Sequence, residues 1–298
     1  MVTRMPRDGG TVAERLQLRL AGLTPAERKV ARSLLADYPV LGLEPVARLA
    51  ATAGVSAPTV LRLAAKLGYD SYADFQQSLK SEVAARLSSP RQMHAERIVA
   101  PGDSLARTEQ VLLDGISSSF ARLPRSEFEQ AVRLLADPRY HVSLIGGRFS
   151  SMLAGYLAAH LRILRPRVHM ISAAGPDRMG SLLDAGRRDI LVAFDYRRYQ
   201  LDTVRLAVAA KSQGATLIAF TDPYRSPLAA QADVILTSSV ASPSPFDALT
   251  PAVALVEALI AALVDRMGDE PLERMARYDA LAEGTIDADT SRAGGGEG

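Results

Sequence analysis

Cysteine is absent from these 298 residues. That removes three chemistries at once: a disulfide framework, a thiolate metal site and a cysteine nucleophile. Aromatic residues are scarce at 5%, and histidine occurs only four times. No stretch reaches the roughly 18 uninterrupted apolar residues of a membrane span, and the opening MVTRMPRDGG holds no apolar signal core. The expectation is a soluble cytoplasmic protein of bacterial type, with no membrane contact, cofactor or metal. What is present is a 48% hydrophobic content, enough for a proper core in one large or two ordinary domains. Residues 1–90 hold 12 Lys and Arg against 8 Asp and Glu, the remainder 23 against 25. The basic excess therefore sits at the front, where it suits a polyanion-binding head.

The first 90 residues show helical periodicity and no convincing strand. LTPAERKVARSLLADYP opens with Thr24 as N-cap, Pro25 in the first helical position and Glu27 at capping-box spacing. LEPVARLAATAGVSAPTVLRLAAKLGY then reads as a short helix through Val46, Leu49 and Ala50, a turn at Ala53 and Gly54, and a second helix capped by Ser56 and stopped by Gly68. Helix, glycine turn, helix is the helix-turn-helix shape. Such a second helix fits the DNA major groove, reading base edges with its N-terminal residues. Val60, Leu61, Leu63 and Leu67 take one side, leaving Ser56, Thr59, Arg62 and Lys66 to the exposed one. Thr59, Arg62 and Lys66 share a face at i, i+3 and i+7. The same spacing fits an ordinary solvated helix.

Between about Ala84 and Asp103 the pattern loosens into RLSSPRQMHAERIVAPGD, read as a linker in which His94 faces solvent. Two helices follow from Ser104, the second with Ser126 as N-cap. The period then changes. YHVSLIG, RVHMI, DILVAF, ATLIAF and ADVILT are short Val/Ile/Leu-rich runs, alternating with helical segments at about 149–164, 177–185 and 201–213 and closing on ALTPAVALVEALIAALVDRM. This predicts a five-stranded, doubly wound parallel α/β sheet behind an all-α head. The expected division is a flexible 1–14, a helix-turn-helix domain 15–88, a linker 89–103, an α/β domain 104–268 and a partly disordered polar tail 269–298.

Ligands of such sheets bind beyond the C-terminal strand ends, where strand order reverses. Two loops qualify. IGGRFSSMLA, residues 145–154, passes from strand to helix through Gly146 and Gly147, with Ser150 and Ser151 at the helix start. Such a turn can cradle an anion on free N–H groups and hydroxyls, or simply be a tight turn with an ordinary cap. FDYRRYQ, residues 194–200, places an acid, two arginines and two tyrosines at the end of DILVAF.

Gly54, Val55, Ser56, Thr59, Val60, Arg62, Lys66, the run LGY at 67–69, Tyr72 and Phe75 together resemble the N-terminal domain of the RpiR family of bacterial transcriptional regulators. Tyr72 and Phe75 read as core of that head. The stretch AAKSQGATLIAFTDPYRSPLAAQADVILT resembles the sugar isomerase (SIS) domain, a phosphosugar-binding module usually found behind it. The resemblance implies a wingless multi-helix head followed by an SIS-like domain that pairs through its helices, giving a homodimer or homotetramer. Its partners would be a double-stranded DNA operator, an inverted repeat, and a small effector. It implies DNA contacts at Ser56, Thr59, Arg62 and Lys66. Ligand contacts would fall at Gly146, Arg148, Ser150, Ser151, Asp195, Arg197, Arg198, Gln200 and Thr221.

Both ligand loops depart from the family. A Gly-x-Gly-x-Ser loop is here Gly146, Gly147, Arg148, Phe149, Ser150, and a Ser-x-Ser-Gly-x-Thr loop is Asp195, Tyr196, Arg197, Arg198, Tyr199, Gln200. Three arrangements fit. Arg148 with Arg197 or Arg198 can clamp an anion bidentately; the arginines can pair with Asp195 or another acid and plug the cleft, leaving only dimerisation; or they can face an oligomer interface. The rival class is a phosphosugar isomerase, which needs a base near the sugar. Glu257, His141, His160 and His169 are available, Glu257 also suiting a buried partner for an arginine. The head and the rewritten loop favour a regulator of transcription with no catalytic residues, sensing an anionic metabolite.

Overall fold

The computed structural model describes residues 10–95, 103–171 and 178–282. The chain begins in helices: α1 (Val12–Arg19), α2 (Pro25–Ala36), α3 (Val40–Leu43), α4 (Val46–Ala53), α5 (Ala57–Lys66) and α6 (Tyr72–Leu87). The Thr24–Glu27 capping box and Pro25 start α2 as its spacing predicts. Residues 11–14, expected to be flexible, carry a second capping box between Thr11 and Glu14, with Val12 fully buried. Leu16, Val30, Leu34, Leu49, Leu63, Phe75 and Leu79 form the core of this half. Phe75 is buried as expected, while Tyr72 is half-buried with its hydroxyl donating to the Glu44 carbonyl. Gly54, at φ 63°, supplies the left-handed residue that ends α4.

The linker is more helical than its composition suggests. α6 runs on to Leu87, and α7 (Pro90–Ala95) follows, with His94 exposed; residues 96–102 lie outside the described residues. α8 (Ser104–Arg122) and α9 (Arg125–Ala136) lead into the α/β half. Pro124 rather than Ser126 precedes α9, so the expected cap lies inside the helix.

Five parallel strands follow: β1 (His141–Gly146), β2 (Val168–Met170), β3 (Asp189–Phe194), β4 (Thr216–Thr221) and β5 (Val234–Thr237), in the order β2-β1-β3-β4-β5. Alternation sends Val192, Phe194, Ile218 and Phe220 to one face and Leu191, Ala193, Leu217 and Ala219 to the other. The first face is covered by α9, α10 (Ser151–Leu164) and α12 (Thr250–Met267), the second by α11 (Leu201–Ser212). Phe194 and Phe220 stack with centroids 4.3 Å apart; truncating either to Ala would leave a cavity costing about 3–5 kcal/mol. Between β2 and β3 the expected short helix is only a 3₁₀ turn, Gly180–Leu182, and Asp177 lies outside the described residues. α13 (Leu272–Ala282) occupies the start of the predicted tail, whose residues 283–298 lie outside the described residues. Among the described residues no helix is long and apolar enough to cross a membrane, and no group of three or more His, Asp or Glu is placed to hold a metal.

Candidate functional site

The order β2-β1-β3 reverses direction between β1 and β3, so the crevice at their C-terminal ends is the topological switch point. Both predicted loops meet there. Gly146 ends β1 where an added Cβ would stand 2.4 Å from the Ser151 nitrogen, so only glycine lets α10 start so close. The Ser150 hydroxyl donates to the Phe194 carbonyl at 2.7 Å and accepts from the Gly147 N–H at 2.9 Å, tying the loops together. A cavity of about 470 Å³ opens between them, lined by Arg148, Phe149, Met152, Asp195, Arg197, Arg198, Gln200, Phe246 and Asp247. A larger cavity, about 660 Å³, lies at the N-terminal strand ends beside His141, His169 and Asp189; the switch point is the better candidate because both loops and the starts of α10 and α11 converge there.

The site residues do not all do what their positions suggest. Ser150 is buried and spent on the backbone, Gly146 and Ser151 do not line the cavity, and Thr221 is fully buried, accepting from the Ser226 N–H. Asp195, 1% exposed, is held by the Gln200 N–H and the Ser226 hydroxyl and pairs with no arginine among the described residues. Burial pushes its carboxyl up to about 7 against those two hydrogen bonds. Arg197 forms an ion pair instead with Asp247, both about nine-tenths buried, and Arg198 stands 3.6 Å from the same carboxylate. Burial pulls the Arg197 guanidinium down, but the Asp247 hydrogen bond together with the nearby charges of Asp247, Tyr224 and Asp222 outweighs it and the net shift is upward. Arg148 is exposed, its guanidinium 5.2 Å from the Phe149 ring centroid. Arg198 has φ 64° at the position where the family motif carries glycine, so the loop keeps a glycine-like backbone with an arginine on it.

The loop also touches the helical half. Arg197 Nη1 donates to the Ala85 carbonyl at 3.3 Å and Nη2 to the Met93 sulfur at 3.5 Å. The Arg86 guanidinium lies 5.0 Å from the Tyr199 ring centroid. Beneath them Tyr199 donates to the buried Asp222 at 2.8 Å, whose carboxyl burial pushes up to about 6. None of Glu257, His141, His160 and His169 lines the switch-point cavity, and Glu257 is exposed, accepting from the Tyr156 hydroxyl at 3.2 Å rather than meeting an arginine.

On α5, Arg62 is exposed and Ser56 precedes the helix without a side-chain cap. Thr59 is a correction: it is only 5% exposed, bridging Ser56 Oγ at 3.1 Å and Arg62 Nη2 at 3.0 Å. It lies one turn before Leu63 and shares its inward side. Leu61, expected inside, is 45% exposed. Lys66 is committed to the buried Glu27 at 2.7 Å. Burial raises the Glu27 carboxyl, but Lys66 and the Thr24 cap outweigh it and leave it lowered. Sequence reasoning missed Asp247 and Phe246, which sit in an aperiodic loop, and the contacts at Ala85 and Met93.

Comparisons with known proteins cover both halves. Residues 10–86 match the model of the helix-turn-helix domain, rpiR family, and residues 134–262 that of the SIS domain. YbbH of Bacillus subtilis, an HTH-type transcriptional regulator, is 30% identical over 222 residues, 72% of this chain and 75% of that one. The bifunctional protein glk of Burkholderia mallei is 30% identical over 240 residues, 77% of this chain but 36% of its own, so the chain spans about a third of that relative. Among solved structures, NanR of Vibrio vulnificus complexed with ManNAc-6P is 19% identical with a TM-score of 0.52, covering 92% of this chain and 99% of that one. The sugar isomerase domain of the RpiR transcription factor of Sphaerobacter thermophilus is 23% identical with a TM-score of 0.57, over 60% of this chain and all of that one. Those two likenesses speak to the fold.

Proposed function

The chain belongs to the RpiR family, with an rpiR-type helix-turn-helix domain followed by an SIS domain, and on that premise we propose that it regulates transcription by binding an operator through α5 under control of a small anion held at the switch-point cavity. The observation that carries the second half is Arg197. One guanidinium lines the cavity beside Asp247 and reaches the Ala85 carbonyl at the end of α6. An anion entering the cavity competes with Asp247 for that guanidinium and draws it from Ala85, so occupancy changes how the head is held. Affinity for DNA then shifts by the effector's preference between the two arrangements.

NanR holds a phosphosugar. Here the loop corresponding to the family's hydroxyl-rich phosphate loop carries Asp195, Arg197, Arg198 and Gln200, so the anion is bound by guanidinium forks rather than small donors. A homodimer or homotetramer would bring two α5 helices to the half-sites of an inverted repeat. The Arg197–Asp247 pair also supports a second reading, in which the acid plugs the cleft and the SIS domain only dimerises. The absence of cysteine allows a direct test: two engineered cysteines, Lys29→Cys on α2 and Arg133→Cys on α9, both at exposed positions, take spin labels for a distance measurement. Arg197→Ala is expected to broaden or shift the label distance; an unchanged distribution would contradict the coupling.

A further inference from the structure

We infer that the effector of the switch-point cavity is a monoanion, a carboxylate by chemistry, that carries an apolar aryl or acyl body, rather than a polyhydroxylated sugar phosphate. This rests on the reading of that cavity as a ligand site. Phe149, Met152 and Phe246 line the cavity and are 56%, 74% and 61% exposed, presenting apolar area together at one mouth. Neutral hydrogen-bonding groups are scarce beside it. The Ser150 hydroxyl is used by Gly147 and Phe194, and the Tyr196 hydroxyl is paired with Ser238 at 2.9 Å. The Gln200 N–H is used by Asp195 at 3.1 Å, leaving the Gln200 amide as the neutral side-chain group among the described lining residues that is open to a ligand.

A sugar phosphate brings several hydroxyls, and each one buried without a partner is costly. It also brings close to two negative charges. Arg197 is spent on Asp247, which Arg198 also approaches, leaving Arg148 as the one unshared cation among the described lining residues, a better match to one negative charge than to two. Arg148, exposed and paired with no carboxylate among the described residues, and Arg198, only loosely held by Asp247, are the forks that meet a carboxylate first, and from there it competes with Asp247 for Arg197. Phe149 and Phe246 then cover the apolar body.

Isothermal titration of the full chain tests this with four probes: phenylacetate, hexanoate, glucose 6-phosphate and inorganic phosphate. The expected result is that phenylacetate or hexanoate binds at least tenfold tighter than glucose 6-phosphate, and that Phe246→Ser weakens that probe about tenfold, as loss of a buried phenyl group should. Arg198→Ala should weaken the carboxylates while leaving the apparent mass in size-exclusion unchanged. Tighter binding of glucose 6-phosphate, lost in Arg198→Ala, would overturn the ligand class and keep the site. No heat from any probe at about 10 mM, or a change of oligomer size in Phe246→Ser without probe binding, would overturn the site reading and this inference with it.

Discussion

Arg197 and Ala85 are joined by a single hydrogen bond, 3.3 Å from guanidinium to carbonyl, across the boundary between the α/β half and the last long helix of the head. The same guanidinium is ion-paired with Asp247 inside the cavity. One side chain thus takes part in both the packing of the switch-point cavity and that of the head.

Replacing Arg197 by Ala leaves Asp247, about nine-tenths buried, with only the more distant Arg198 as counter-charge. A cost of about 2–4 kcal/mol is expected, because losing one partner of a buried pair leaves the other charge poorly compensated. Denaturant unfolding reads it. Arg197→Ala with Asp247→Asn should recover part of the loss; equal loss in single and double variants would contradict the pairing.

Arg198 at φ 64° carries a left-handed backbone that costs a non-glycine residue about 1–2 kcal/mol. Arg198→Gly relieves that strain at the expense of unfolded-chain entropy. Its stability should match or exceed that of the parent by up to about 1 kcal/mol, while Arg198→Ala gains nothing. Thermal melts of the two variants separate the outcomes.

Lys66 and Arg62 divide on stability. Lys66 ties α5 to Glu27 of α2, so Lys66→Ala should lower stability by about 1 kcal/mol, whereas Arg62, bonded to Thr59 on the surface, should cost under about 0.5 kcal/mol. A weaker operator complex in Lys66→Ala therefore needs to be compared at matched folded fraction.

Stability should fall as pH rises from about 4 to 7. Asp195 and Glu82 are pushed up to about 7 and Asp222 to about 6, burial being the largest cause in each. Each takes a proton more readily folded than unfolded. The folded state therefore binds more protons across that window, and the advantage is lost as pH climbs through the folded values. Asp195→Asn should flatten the slope of the melting temperature between pH 5 and 7; an unaltered slope would contradict the assignment.

The strands were legible because their apolar runs are short, bounded and β-branched, and each of the five falls within a residue or two of its prediction. The α1 start was also written in the chain, as the Thr11–Glu14 capping box, yet its neighbourhood reads as a polar leader. Thr59 misleads because a shared face on a helix wheel does not say which way the face points; packing of Val60, Leu63 and Ala64 into the core decides that. Asp247 could not be read at all. Its pairing with Arg197 spans a separation of 50 residues and depends on a loop with no periodicity.

Selecting duplexes from a random pool with the full chain, and measuring anisotropy on the recovered sequence, tests whether α5 reads DNA. Enrichment of an inverted repeat and at least tenfold weaker binding by Arg62→Ala, with its melting temperature little changed, are expected. Failure to enrich any sequence, or equal affinity of parent and Arg62→Ala, would contradict that role of α5.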